Sequence, residues 1–220
     1  GKVYLARHLE LDEPVVVKVM HEQIAADKLY RERFRREMRL MARFKHPHAV
    51  MIHDASLEDP AGPCIVMEYL GGVSLDRLLA KNMRISPPRL HRLLGQLCDV
   101  LQAAHEAGIV HRDLKPANVM IDGAGNVRIL DFGIASPVDD EAALRRLSGT
   151  PGFMAPELIA GEKPSRQSDL FAWGIVVYFA AMGRLPKPGD SLRDEEAAEL
   201  LISAGVPSEV VGCIQSCLQS

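Results

Sequence analysis

The chain opens on two runs rich in β-branched residues, VYLARHLE and PVVVKVMH, separated around Asp12-Glu13-Pro14, which predicts a pair of strands. Helical spacing follows over residues 22–45, where Phe34, Met38, Met41 and Phe44 fall on one stripe among many charges. His46-Pro47-His48 ends that helix. Two more strands are predicted over roughly 49–57 and 64–69, and Gly71-Gly72 then reads as a flexible joint. Beyond it the pattern turns helical, over 74–82 and 87–107, the second opening with Ser86 as cap and Pro87 in its first turn. Residues 111–133 read as loops and short strands, 166–182 as a buried helix, and 194–203 and 207–218 as helices around Pro207. The prediction is an α+β molecule: a small β-rich lobe with one long helix, a larger mostly helical lobe, and a cleft between them for a ligand.

Composition narrows the function classes. A hydrophobic share of 47% beside 25% charged residues describes an ordinary soluble globular chain of 220 residues. With 26 basic and 29 acidic residues the net charge is −3, so no global pull toward nucleic acid or membrane is expected. The six arginines at 31, 33, 35, 36, 39 and 43 read as a solvated helix face. Four cysteines lie scattered without metal-ligand spacing, and Cys213 and Cys217, four apart, read as core residues. A reducing, cytoplasmic setting is the simplest reading. The apolar stretch from Gly174 to Gly183 is too short to span a bilayer, and no signal-peptide pattern is present.

The chemistry concentrates in HRDLKPANVMIDGAGNVRILDFG, residues 111–133. Costly polar groups crowd there among Val, Ile and Leu, which a core segment does not need. Together with GTPGFMAPE further on, this stretch resembles the signature blocks of the Ser/Thr protein kinase family, and its wording is similar to bacterial members of that family. The likeness covers nearly the whole chain. It implies the two-lobed kinase fold, with an N-lobe over 1–70 ending in the hinge and a C-lobe over 71–220. It further implies transfer of the γ-phosphate of ATP, with Mg²⁺ or Mn²⁺, to Ser/Thr hydroxyls of protein substrates. Phosphoryl transfer has a loose transition state, so the protein mainly positions groups and offsets charge. By resemblance, Asp113 orients the substrate hydroxyl and accepts its proton, and Lys115 balances charge on the moving phosphoryl. Asn118 and Asp131 supply hard oxygen ligands for the metal.

The resemblance also assigns Lys18 to the α/β-phosphates and Glu37 as its partner, Glu32 being the competing carboxylate. An ion pair formed only when its helix swings inward would make an activity switch. Val3, Val16, Met67, Leu70 and Met120 are expected around the adenine, with Met67 as gatekeeper and the backbone of Glu68 and Leu70 at the adenine edge. For each of the five, plain core packing is an equal reading. Met41, Ile52, His111 and Phe132 would stack as a spine linking the lobes, anchored by Asp169 through backbone near His111. Thr150 would hold Asp113 and Lys115 in register. Arg112 would await an anion from the activation segment. Arg146 occupies the usual phosphorylation position there, leaving Ser136, Ser148 and Thr150 as hydroxyls, and Asp139-Asp140-Glu141 reads either as a solvated surface run or as a stand-in anion.

Both ends depart from the family pattern. Gly1-Lys2-Val3-Tyr4 matches only the last glycine of the GxGxxGxV loop over the phosphates, and VVGCIQSCLQS stops before the arginine that relatives pair with Glu157. A piece of a longer protein is therefore expected. Two other readings stand beside the kinase. A pseudokinase scaffold is opposed by the presence of Lys18, Glu37, Asp113, Asn118 and Asp131 together. A small-molecule kinase is opposed by Ala155-Pro156-Glu157 and a full activation segment. Oligomeric state is not legible.

Overall fold

A computed structural model describes residues 2–20, 28–60, 62–82, 85–132, 151–186 and 195–217. The two β-branched runs form strands β1 (Lys2–Arg7) and β2 (Pro14–Val19), paired antiparallel with Val3 opposite Lys18. Arg7 reaches across the turn to bond Asp12, which itself has positive φ. Helix α1 (Lys28–Arg43) follows, then β3 (Ile52–Ser56) and β4 (Cys64–Glu68). The sheet order is β1-β2-β4-β3, antiparallel throughout, with Val16 opposite Met67. Phe34, Met38 and Met41 give α1 its buried stripe, at the spacing the sequence shows.

The second lobe is organised around helices. β5 (Val73–Ser74) leads into α2 (Leu75–Asn82), and α3 (Pro87–Glu106) buries Leu90, Leu94, Leu97, Leu101 and Ala104 on one face. Ser86 does occupy the cap position of α3, but its side chain makes no capping bond; Pro87 at the first turn starts the helix without one. A short 3₁₀ turn, Pro116–Asn118, precedes the hairpin of β6 (Val119–Ile121) and β7 (Val127–Ile129), which joins β5 in a three-stranded sheet. After a second 3₁₀ turn at Pro151–Phe153 come α4 (Pro156–Ile159), α5 (Arg166–Met182), α6 (Glu195–Ser203) and α7 (Ser208–Cys217). Helix α5 is apolar nearly all round and accordingly lies in the centre of the lobe, Trp173, Val176, Val177 and Tyr178 all being buried. Cys213 is exposed rather than core, because the buried side of α7 is formed by Val211 and Ile214. No helix among the described residues is long and apolar enough to cross a membrane.

The lobes are stitched behind the joint. Val50 N–H donates to the Ile129 carbonyl at 2.9 Å, and Ile129 N–H to that of His48 at 2.8 Å, so residues 48–50 extend the second sheet. Glu68, at the end of β4, accepts from Met51 N–H at 2.6 Å and pairs with Arg128 of β7. Sequence patterns did not single out this link, because both residues look like surface charges on short strands.

Candidate active site

Three local devices position the polar cluster. The first is the β6–β7 hairpin. Asp122 Oδ1 accepts the N–H groups of Ala124 and Asn126 at 2.9 and 2.8 Å, and Gly125 takes the positive φ that closes the turn. The resulting register sets Val119 opposite Ile129. Asn118, just before β6, and Asp131, just after β7, are thereby drawn to the same end of the hairpin, and Leu130 N–H donates to the Asn118 carbonyl at 2.8 Å.

The second device is the start of α5. Ser165 and Ser168 form a reciprocal capping box, fixing the first turn in which Asp169 sits. The Asp169 carboxylate, 2% exposed, accepts from His111 N–H at 2.7 Å and from Arg112 N–H at 2.8 Å. His105 Nε2 adds a third contact at 2.8 Å. These bonds hold Arg112 at φ 72°, a conformation that non-glycine residues rarely adopt. Sequence reasoning overlooked His105; its signal was a lone imidazole among alanines on the buried face of a helix.

The third device is His111. Its Nε2–H donates to the Leu130 carbonyl at 2.9 Å, leaving Nδ1 to accept from Asp113 N–H at 3.3 Å. Complete burial pushes its pKa down, against the opposing pull of Asp169, the Leu130 bond, Asp113 and Asp131. The ring packs on Phe132 at 4.9 Å between centroids, and Phe132 meets Phe44 edge-on at 5.6 Å. Met41 and Phe132 are buried in the same cluster, with Ile52 packed against it.

On this frame Lys115 Nζ lies 2.7 Å from Asp113 Oδ2. Asn118 Nδ2 donates to the Asp113 carbonyl at 2.8 Å and to Oδ2 at 3.1 Å. Because the amide nitrogen is engaged, the Asn118 side-chain oxygen remains as a donor to a cation. Lys18 Nζ pairs with Asp131 Oδ2 at 2.9 Å. Asp131 has φ 53°, a second uncommon backbone beside the cluster. Two hard oxygen donors beside a lysine suit a magnesium ion that is also held by phosphates, since Mg²⁺ is commonly bound through one or two side chains plus its substrate.

The ion pair expected when the helix swings inward is not formed in this arrangement. Glu37 does not meet Lys18; it accepts from Arg112 Nη1 at 2.6 Å. A shallow recess of about 40 Å³ lies between Glu37, Leu40 and Met41 on one side and Ile109, Arg112 and Phe132 on the other. Lys18–Asp131 and Arg112–Glu37 are each neutral pairs. Of the residues expected around the adenine, Met67 is buried, Val16 and Leu70 pack partly against the core, and Met120 is half-buried opposite Ser74. Val3 is 66% exposed. Both carboxylate oxygens of Glu157 are shielded from solvent without a hydrogen-bond partner among the described residues. Gly1, Asp139, Asp140, Glu141, Ser136, Arg146, Ser148 and Thr150 lie outside the described residues.

The family model for the protein kinase domain matches residues 1–209. The chain is 37% identical over 201 residues to the serine/threonine-protein kinase pkn3 of Myxococcus xanthus, covering 87% of this chain and 37% of that protein. It is 37% identical over 198 residues to the serine/threonine-protein kinase PknB of Mycobacterium tuberculosis, covering 87% and 32%. With pkn2 of Myxococcus xanthus, also named a serine/threonine-protein kinase, identity is 40% over 197 residues, covering 86% and 24%. The chain thus spans about a quarter to two fifths of the length of these relatives.

Proposed function

Because the chain belongs to the protein kinase family, we propose that it transfers the γ-phosphate of ATP to serine or threonine hydroxyls of protein substrates. The observation that carries this reading is the packed trio of Asp113, Lys115 and Asn118, joined through the Asn118 carbonyl to the strand that leads into Asp131. In this reading Asp113 orients the acceptor hydroxyl and takes its proton as the oxygen attacks the terminal phosphorus, whose bond to the β–γ bridging oxygen breaks to release ADP. Lys115, at the same carboxylate, offsets the charge on the transferred group. Asn118 and Asp131 would hold the divalent cation, Mg²⁺ or Mn²⁺, which neutralises the phosphates when bound. Val16, Met67, Leu70 and Met120 would enclose the adenine, with Val3 folding over it and the backbone of Glu68 and Leu70 at its edge. The names of the relatives favour Ser/Thr over other acceptors. The division into an N-lobe over 1–70 and a C-lobe over 71–220, and work in the cytoplasm, complete the proposal.

The Glu37–Arg112 and Lys18–Asp131 pairs describe a resting arrangement in this reading. Productive nucleotide binding would return Lys18 to Glu37 and release Asp131 to the metal. An anion from the activation segment, phosphate on Ser148 or the acids at 139–141, would take Arg112 in exchange.

The test is an assay of radiolabelled γ-phosphate transfer to a generic basic protein, using the kinase domain with its full phosphate loop. Asp113→Asn is expected to retain nucleotide binding and to lose about 10²–10⁴-fold in transfer. Transfer at the parental rate would remove Asp113 from the mechanism, and phosphate appearing on lipids or small molecules instead of protein would overturn the substrate class.

A further inference from the structure

The outer face of α1 is not an ordinary solvated helix face. Such faces usually interleave acids and bases four residues apart, which stabilises the helix. Here the sixteen-residue helix holds seven of the chain's 26 basic residues and two of its 29 acidic ones, in a molecule of net charge −3. One of those two acids, Glu37, turns inward to Arg112. Arg31 and Arg35 share Glu58 at 3.1 and 3.7 Å. Arg36, Arg39 and Arg43 have no ion pair among the described residues, although spacings of three and four place them on one stripe. Like charges at that spacing cost the helix stability, and no ion pair among the described residues offsets the cost at these three.

The stripe also has an apolar centre. Leu40 is 39% exposed and, with Arg36, Arg39 and Arg43, lines a concavity that Glu32 and Arg35 complete. We propose that this face of α1 docks an acidic polypeptide segment carrying an apolar residue among its carboxylates. The apolar side chain packs on Leu40, and the carboxylates meet the three guanidiniums, which suit bidentate pairing. The exposed Leu40 between the arginines gives an apolar side chain a place to pack. Glu32 interrupts the basic face and leaves separate cationic positions, which suit discrete carboxylates better than a continuous phosphate surface. The residues lining the groove include no aromatic ring on which a nucleic-acid base could stack. The arginine stripe and its apolar centre together therefore select an acidic peptide with an apolar side chain.

The experiment needs no phosphoryl transfer, so its outcome is separate from that of the proposed activity. A short fluorescein-labelled peptide of Asp and Glu around one central Phe is titrated with the chain and followed by anisotropy. Binding is expected to weaken at least about tenfold in the R36E/R39E/R43E variant, and to weaken with added salt. Leu40→Ser is expected to erase the advantage of the Phe-containing peptide over one with Ser in its place. An unchanged thermal midpoint certifies the variants, and R36Q/R39Q/R43Q serves if charge reversal prevents folding. Failure of the parent to bind, equal binding by the charge-reversed chain, or preference for anionic vesicles or single-stranded oligonucleotide over the peptide would each overturn the proposal.

Discussion

Asp169 is the residue on which the cluster's geometry turns. A carboxylate that is 2% exposed persists only when its lone pairs are occupied, and here two backbone N–H groups and an imidazole occupy them. The bonds also hold Arg112 in its left-handed conformation. Asp169→Ala would strand three buried donors, at about 1–3 kcal/mol for each group left unsatisfied, less what water recovers. The expected loss is about 3 kcal/mol in urea unfolding, with a further fall in transfer, since the segment carrying Asp113 loses its anchor. Asp169→Asn should lose less, because one amide oxygen still accepts. Equal stability of the Ala variant and the parent would show that the anchor is dispensable.

At the scale of elements, the joint between lobes differs from its sequence reading. Gly71-Gly72 looks like a flexible pair, and Gly71 has nothing within 4 Å of where a Cβ would stand. A Cβ on Gly72, however, would sit 2.4 Å from the Ile121 carbonyl oxygen, a backbone atom of β6 that cannot swing aside. Gly72 is there for close approach. Gly71→Ala should accordingly leave the thermal midpoint within a degree or so. Gly72→Ala should cost about 1–3 kcal/mol, as overpacking does, and should weaken nucleotide binding through β5 and β6. Similar effects of the two substitutions would refute the distinction. Helix α1 poses the other question at this scale. If Arg112 is what retains Glu37, Arg112→Leu should leave Glu37 to Lys18 and tighten ATP–Mg²⁺ binding several-fold by calorimetry. Unchanged or weaker affinity would mean that something other than Arg112 keeps the helix outward.

For the whole molecule, the buried His111 ties stability to pH. Its folded pKa is depressed, chiefly by burial, while in the unfolded chain it returns to about 6.5. The unfolded state therefore binds the extra proton first. Stability is fully present above about pH 6.5 and declines as pH falls below it toward the folded value. Unfolding free energies measured between pH 8 and 5 should show this slope, and His111→Gln should flatten it. Because the ring joins Phe132 to the Leu130 carbonyl and the Asp113 N–H, contact between the lobes should loosen over the same range. Hydrogen exchange at residues 48–50 and 129 would register that loosening, and a slope identical in the variant would exclude His111 as its source.

Local pattern alone determined most of this protein. The strands, the long helices and the order of the lobes follow from β-branched runs, helical spacing and a first-turn proline, all interactions between near neighbours along the chain. The polar cluster at 113–131 was equally legible, because the hairpin that assembles it is a local structure closed by Asp122 and Gly125. Asp169 bonds the backbone at His111 and Arg112, and His105 beside them went unread, being held by a residue 64 positions away. The partners of Glu37 lay beyond the sequence for the same reason. Glu37 meets Arg112, 75 positions further along the chain, while Lys18 meets Asp131. Which cation a carboxylate on α1 meets is set by how that helix packs against residues far away in the chain, so only the tertiary structure could decide it.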